Sequence, residues 1–320
     1  MIDYSRHYFF VALVLAFSFL AGCTSQESVL RVGTNVWVGY EPLYLARDKG
    51  FFSDKQIQMV ELLSASDVMT AFREGMIDVA ALTLDEAISL AADAIPLKVF
   101  LVMDISKGAD SLLARKDIPD LSALKGKNIG VEKTAVGAVM LDSALKRAGL
   151  QLDDIHVEHL TADQHVDAYR LGRIDAVVTF EPNISMLQKL DARVIFDSSQ
   201  IPGRIIDVLV MQPEVAQTHK QALSMLVDSH FKALDFIRHH PEDAAELMAV
   251  RLQVDSAEVM PMFDGLLLPD RQLNQQMFAD NAAQLQSSTE LLADSLNRAG
   301  LINSVVASAH LFDTGFIKQP

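Results

Sequence analysis

The chain has 320 residues, half of them hydrophobic, and its 42 Asp and Glu outnumber 27 Lys and Arg to give a net charge of −15. This balance disfavours nucleic acid and anionic lipid surfaces as partners, and because the acidity is spread through the chain it reads as a solubility device. A single cysteine, Cys23, excludes internal disulfides and leaves no further thiol for a metal–sulfur centre or a nucleophile.

The apolar run Phe9–Ala21, broken only by Ser18, is shorter than the roughly 20 residues a membrane span needs. Leu20-Ala21-Gly22-Cys23 ends it with small residues before the cysteine, which is the cleavage and acylation signal of lipoproteins. Residues 1–22 therefore read as a signal peptide with Arg6 and Asp3 in its head, Cys23 as the lipidated residue, and 23–28 as a tether. The alternative is an anchor helix with an incidental cysteine. The expected location is extracytoplasmic, tied to a membrane by lipid.

From Val29 onward, β-branched runs alternate with helical patterns, the mark of an α/β chain with mainly parallel sheets. Strands are predicted at Leu30–Val36, Gln58–Leu62, Asp78–Leu82 and Lys98–Met103, then at Asn128–Val131, His156–His159, Asp175–Thr179, Arg193–Phe196 and Asp207–Met211. Helices fit between them over Glu41–Lys49, Asp67–Glu74 and Val136–Ala148, each stopped by a glycine, and Thr83-Leu84-Asp85-Glu86 has capping-box spacing. Beyond Pro213 the pattern turns helical. Thr218–His240 carries Leu223, Leu226, Val227, Phe231, Leu234 and Ile237 on one stripe, and no convincing strand follows up to Gly300. Asn128–Thr179 echoes the order of Leu30–Leu82, and an Ile-Asp pair precedes a strand in both (Ile77-Asp78 and Ile174-Asp175). Two similar lobes that close over a ligand are implied.

Enzyme signatures are missing: there is no Gly-x-Ser-x-Gly elbow, phosphate loop or dinucleotide fingerprint. His156, His159 and His165 lack a matching Cys or carboxylate set and read as solvated histidines rather than metal ligands, while His239-His240 suits a helix C-terminus. No metal or other cofactor is expected. Val32–Ala46 is different, because it places the only tryptophan, Trp37, with Tyr40 and Glu41 in the loop leaving the C-terminal end of the first strand, where open α/β sheets bind ligands. A packing role for Trp37 is the competing reading.

Trp37-Val38-Gly39-Tyr40-Glu41-Pro42-Leu43-Tyr44-Leu45-Ala46, running into Lys49-Gly50-Phe51-Phe52, resembles the opening signature of ABC-transporter substrate-binding proteins of the nitrate/sulfonate/taurine type, a family that includes carriers of thiamine-pyrimidine precursors. Asp67 to Asp78, Gly108-Ala109-Asp110, Leu124–Val131 and Asp175–Pro182 match later segments of that family in order, although Phe180 stands where the family often has tryptophan. The resemblance implies a bilobed periplasmic-binding-protein fold of type II: two mixed-sheet lobes, two hinge crossings and a helical C-terminal segment on the first lobe. It divides the chain into 29–109 and 207–320 for lobe 1 and 110–206 for lobe 2, with hinges near Gly108–Asp110 and Gly203–Asp207.

The function implied is a monomeric carrier that presents a small molecule to an ABC permease and its ATPase, without catalysis. Trp37 and Tyr40 would cover the ligand. Ser64, Thr83 and Thr134 would donate hydroxyls beside backbone amides at helix starts near Ser64–Ser66, Thr83 and Thr134–Ala135, and Glu41, Asp85, Asp110, Glu181 and Asp207 are the nearby carboxylates. Lys133 is the only basic residue in these loops, with Lys107 and Arg204 at the hinges. An anion-only site would use an arginine, so an amine-bearing or zwitterionic ligand is favoured. Acids in a first helical turn also arise from the helix dipole alone. A ligand sensor docking on a signalling receptor is an alternative. A fungal thiamine-pyrimidine-synthase-like enzyme is less favoured, since it would need a cysteine-rich motif and a histidine, and no histidine falls in the candidate loops.

Overall fold

A computed structural model describes residues 28–317 apart from 299 and 305; the expected signal peptide, Cys23 and most of the expected tether lie outside the described residues. The first series of elements is β1 (Leu30–Thr34), α1 (Glu41–Asp48), β2 (Ile57–Glu61), α2 (Ala65–Arg73), β3 (Val79–Thr83), α3 (Leu84–Ala92) and β4 (Lys98–Ser106). The second is β5 (Asp110–Ala114), β6 (Asn128–Val131), α4 (Ala135–Ala148), β7 (His156–His159), α5 (His165–Arg170), β8 (Ala176–Phe180), α6 (Asn183–Gln188) and β9 (Arg193–Asp197). β10 (Ile206–Met211) leads into α7 (Val215–Thr218), α8 (Lys220–His239), α9 (Pro241–Leu252), α10 (Ser256–Met262), β11 (Leu266–Leu267), α11 (Arg271–Met277) and α12 (Ala279–Arg298).

Among the described residues the strands form two mixed sheets, ordered β11-β4-β10-β3-β1-β2 and β7-β6-β8-β5-β9. The second repeats the first: β6, β7 and β8 take the parallel places of β1, β2 and β3, and β5 and β9 take the antiparallel places of β10 and β4. The Ile-Asp echo has a physical basis here. Ile77 lies against Gly33 of β1 and Ile174 against Gly130 of β6, each where a Cβ on the glycine would collide. Asp78 accepts the Arg31 amide at 2.8 Å and Asp175 accepts the Asn128 amide at 2.9 Å, so each aspartate anchors the start of the neighbouring parallel strand.

β3 and β5 are buried along their whole length, as strands covered on both faces are. In the second sheet, neighbouring side chains of β5 point to opposite faces, so Leu112 joins a cluster with Ile129 and Phe196 while Leu113 joins one with Val177 and Leu187. The predicted stripe of α8, Leu223 to Ile237, packs into the core of the first sheet.

Three elements differ from expectation. β5 was not predicted, because Asp110-Ser111 gives it a polar start; it forms by pairing with β8 and β9 on both sides. β4 continues past Met103 to Ser106, since Asp207 and Ile206 of β10 pair with Asp104 and Ile105. The tail does contain a strand, the two-residue β11, which pairs with Ile105 and Ser106 at the edge of β4. The chain leaves the first sheet after β4 and returns at β10, and Gly108 (φ +131°) and Gly203 (φ +72°) in these crossings hold conformations that side chains oppose.

Candidate functional site

The strand ends that feed the two crossings converge on one groove. Asp104 of β4 and Asp207 of β10 are direct partners in the antiparallel register, and Asp110 is the first residue of β5. The Trp37 Nε1–H donates to Asp104 Oδ2 at 3.1 Å and the Tyr40 hydroxyl donates to Asp207 Oδ1 at 2.5 Å, so the β1 loop is fastened to both crossing strands. Gly39 makes this possible, since a Cβ there would strike Asp104 Oδ2 and Trp37 Nε1. From the other sheet, the Phe180 ring meets Trp37 edge-on, with centroids 5.5 Å apart and planes at 85°.

Trp37, Tyr40, Thr83, Glu86, Asp110 and Asp207 line a cavity beside these contacts, closed by Asn35, Ala65, Val136 and Phe180. A second chamber shares Ala65, Asp110, Val136 and Phe180 and extends to Glu132, Thr134, Met140, His165 and Thr179. No Lys or Arg lines either chamber. Several buried polar atoms lack partners: Asp104 Oδ1, Asp110 Oδ2, Glu86 Oε1 and Thr134 Oγ1.

Burial pushes the Asp104 and Asp110 carboxyls up to about 7, and nearby carboxylates push them the same way. Burial, then Asp85, raises Glu86 to about 8. Asp207 is held well above the carboxylate range by burial and by Asp104, and the Tyr40 hydroxyl is also pushed up by burial and by Asp207. A buried cluster of acids beside aromatic rings is costly unless protonated or offered hydrogen-bond donors. Chemically, the arrangement offers buried acceptor oxygens and no Lys or Arg side chain along the two chambers. Among the described residues no His, Cys, Asp and Glu are grouped to hold a metal ion.

The predicted site residues separate into two groups. Trp37, Tyr40, Thr83, Asp110, Thr134 and Asp207 border the chambers. The other four do not. Glu41, fully buried, pairs with Arg251. Ser64 caps α2 by accepting the Asp67 amide, and Glu181 accepts the Ser185 amide and hydroxyl, each at 3.1 Å, at the start of α6. Asp85 is buried with neither carboxyl oxygen partnered, raised to about 6 mainly by burial, with Arg204 as a nearby cation. Thr83 and Glu86 form the predicted capping box.

Two expectations are corrected. His165 is not solvated: it is buried against Thr179 Oγ1 and the Leu160 carbonyl at 3.0 and 3.2 Å, and it borders the second chamber, so a histidine does reach the site. Burial lowers it to about 4, leaving a neutral ring. The helix start at Ser66 is not open to a ligand, because its amide and hydroxyl donate to Glu132. Sequence reasoning also missed Glu86, Asp104 and Glu132 as site residues; only Glu86 had a signal, as the far end of the capping box.

The NMT1-like family model matches residues 24–252. The chain belongs to the NMT1-like family. A Brucella abortus relative named as a binding protein is 26% identical over 155 residues, which is 47% of this chain and 49% of the relative, so the chain spans about half the length of the curated relatives it matches first. The taurine-binding periplasmic protein of Escherichia coli is 23% identical over 227 residues, 69% of this chain and 70% of that one. Among solved structures, the alkanesulfonate-binding protein SsuA of Xanthomonas axonopodis pv. citri, bound to MOPS, has a TM-score of 0.74 at 18% identity, covering 89% of this chain and 99% of its own. The desulfurization enzyme DszB also shares the fold, with a TM-score of 0.65 at 17% identity over 90% and 97% of the two chains. This NMT1-like protein has the bilobed periplasmic-binding-protein fold, a frame used by binding proteins and by at least one enzyme.

Proposed function

We propose that this protein is the extracytoplasmic solute-binding component of an ABC importer, lipid-anchored through Cys23, and that it carries a small molecule bearing an amine, including zwitterions. The lobes would be 29–109 with 207–320, and 110–206, rotating about the glycine-containing crossings. The closed form would dock on the permease and its ATPase as a monomer, and no bond would be made or broken. Family membership and the binding roles named for the E. coli and Xanthomonas proteins support transport over catalysis.

The observation that carries the ligand class is the unpartnered carboxylate oxygens of Asp104, Asp110 and Glu86 around an aromatic-walled cavity with no basic lining residue. An ammonium group would satisfy these acceptors and pack against Trp37 and Phe180. The acceptor end of a zwitterion would reach Thr134 Oγ1 and the start of α4, which has no side-chain cap and no acid in its first turn.

A thermal-shift screen of the full chain in detergent tests this, using ethylamine, an aminopyrimidine, glycine betaine, taurine, ethanesulfonate and nitrate at constant ionic strength. A true ligand at about 100 times its dissociation constant adds roughly 2.7 kcal/mol. Stabilisation by the nitrogen cations or by taurine is expected. Stabilisation by ethanesulfonate or nitrate alone would overturn the ligand class.

A further inference from the structure

The starts of α2, α3 and α4 all face the groove, and a helix start is a ready anion site. They are treated differently. Glu86 fills the start of α3 by accepting the Thr83 amide at 3.0 Å. The start of α4 is uncapped, with the Thr134 hydroxyl buried and without a partner. At α2, Ser64 satisfies the Asp67 amide, and the next free donors, the Ser66 amide and hydroxyl, both go to Glu132 Oε1 at 3.0 and 2.9 Å. Glu132 follows β6 and so reaches across from the other sheet.

Glu132 is buried among other acids. Asp67 and Asp163 oppose its charge, Glu132 in turn raises Glu86, and the adjacent Lys133 points to solvent. A carboxylate in such company is retained only by strong donors, here those of Ser66 and the field of the nine-residue α2. It also borders the second chamber together with Ala65 and Thr134.

We propose that Glu132 is a specificity-determining residue: a tethered anion, supplied by one lobe, that fills the anion place of the other, bars free anions from it and joins the lobes across the groove. This rests on the binding-cleft reading above and deepens it, since it leaves α4 as the single place for a ligand's anionic end.

The test uses ethanesulfonate and inorganic sulfate as anion probes on the full chain in detergent, against chloride at equal ionic strength. Emission of Trp37, the only tryptophan, and thermal shift report binding. Hydrogen exchange at the Ser66 amide reports the contact itself. Glu132→Ala is expected to bind ethanesulfonate at least about tenfold more tightly than wild type, a difference of roughly 1.4 kcal/mol. Its Ser66 amide should exchange faster, and the anion should protect it again. Glu132→Gln keeps an acceptor for Ser66 and guards against misfolding of the alanine variant; it should keep Ser66 protected and gain less anion affinity. Equal anion affinity in wild type and both variants would overturn the role of Glu132. Failure of the ligand-class reading looks different: wild type itself would be stabilised by ethanesulfonate and not by ethylamine.

Discussion

Raising the pH from about 6 to about 8 is expected to destabilise the ligand-free protein. Burial places Glu41, Asp104 and Asp110 near 7 and Glu86 near 8 in the folded state, and holds Asp207 higher than the ordinary carboxylate range. In the unfolded chain the same groups ionise near 4. A folded value raised above the unfolded one gives stability that is complete below the unfolded value and is lost as pH climbs through the folded value. The loss therefore begins near pH 4, where only the unfolded chain ionises, and continues through pH 6 until the folded groups ionise near 7 to 8. Each proton held by the folded state alone contributes about 1.4 kcal/mol per pH unit. Retention of about two such protons near neutrality gives a slope of roughly 3 kcal/mol per pH unit, a large share of the 5–15 kcal/mol typical of a domain. Urea unfolding at fixed ionic strength measures it: the midpoint should fall steadily across this range. Asp110→Asn should flatten the slope by about one proton's share. An amine ligand should bind more tightly at the upper end, where the carboxylates are charged. A midpoint that stays level or rises with pH in the free protein would refute the buried acid cluster.

Two substitutions probe how the β1 loop is held. Arg251→Leu removes a guanidinium that pairs with Glu41, bonds Glu61 at 2.6 Å and the Asn35 carbonyl at 3.1 Å, and lies 3.6 Å over the Tyr44 ring. Stranding fully buried Glu41 should cost about 3–5 kcal/mol by urea unfolding, and Glu41→Gln in the same chain should recover part of that loss; a loss below 1 kcal/mol would contradict the burial argument. Gly39→Ala should cost about 1–3 kcal/mol through overpacking and shift Trp37 emission by breaking the bond to Asp104. Unchanged emission in a destabilised variant would place the strain elsewhere.

Much of the architecture was legible because it is written in local signals. The β-branched runs, the capping box at Thr83 and the α8 stripe each depend on neighbours within a few residues, and the Ile-Asp repeat exposed the duplicated sheet order. What escaped was set by pairing. β5 begins with polar residues and is a strand because β8 and β9 flank it, and β4 runs through Asp104 because β10 offers a partner there. β11, at two residues, is too short for any periodicity to register.

The site shows the same division more sharply. Trp37 and Tyr40 could be chosen from their loop, because strand ends are where such sheets bind ligands. The acid cluster could not be chosen as a whole. Asp104, Asp110 and Asp207 come from three strands, and only the β4–β10 register and the adjacent crossing bring them together. Charge alone misled in both directions: Glu41 and Glu181 sit in family-like motifs yet are consumed by Arg251 and Ser185, while Glu132, passed over beside Lys133 and Thr134 in a candidate loop, reaches the groove through Ser66. His165 was grouped with His156 and His159, which are exposed, but it opens α5 and turns inward to Thr179. A carboxylate's role in this fold therefore follows from which donors the opposite strand or lobe presents to it. At Asp104, Asp110 and Glu86 one buried oxygen of each carboxyl is left without a protein donor, and it is on these oxygens that the proposed ligand class rests.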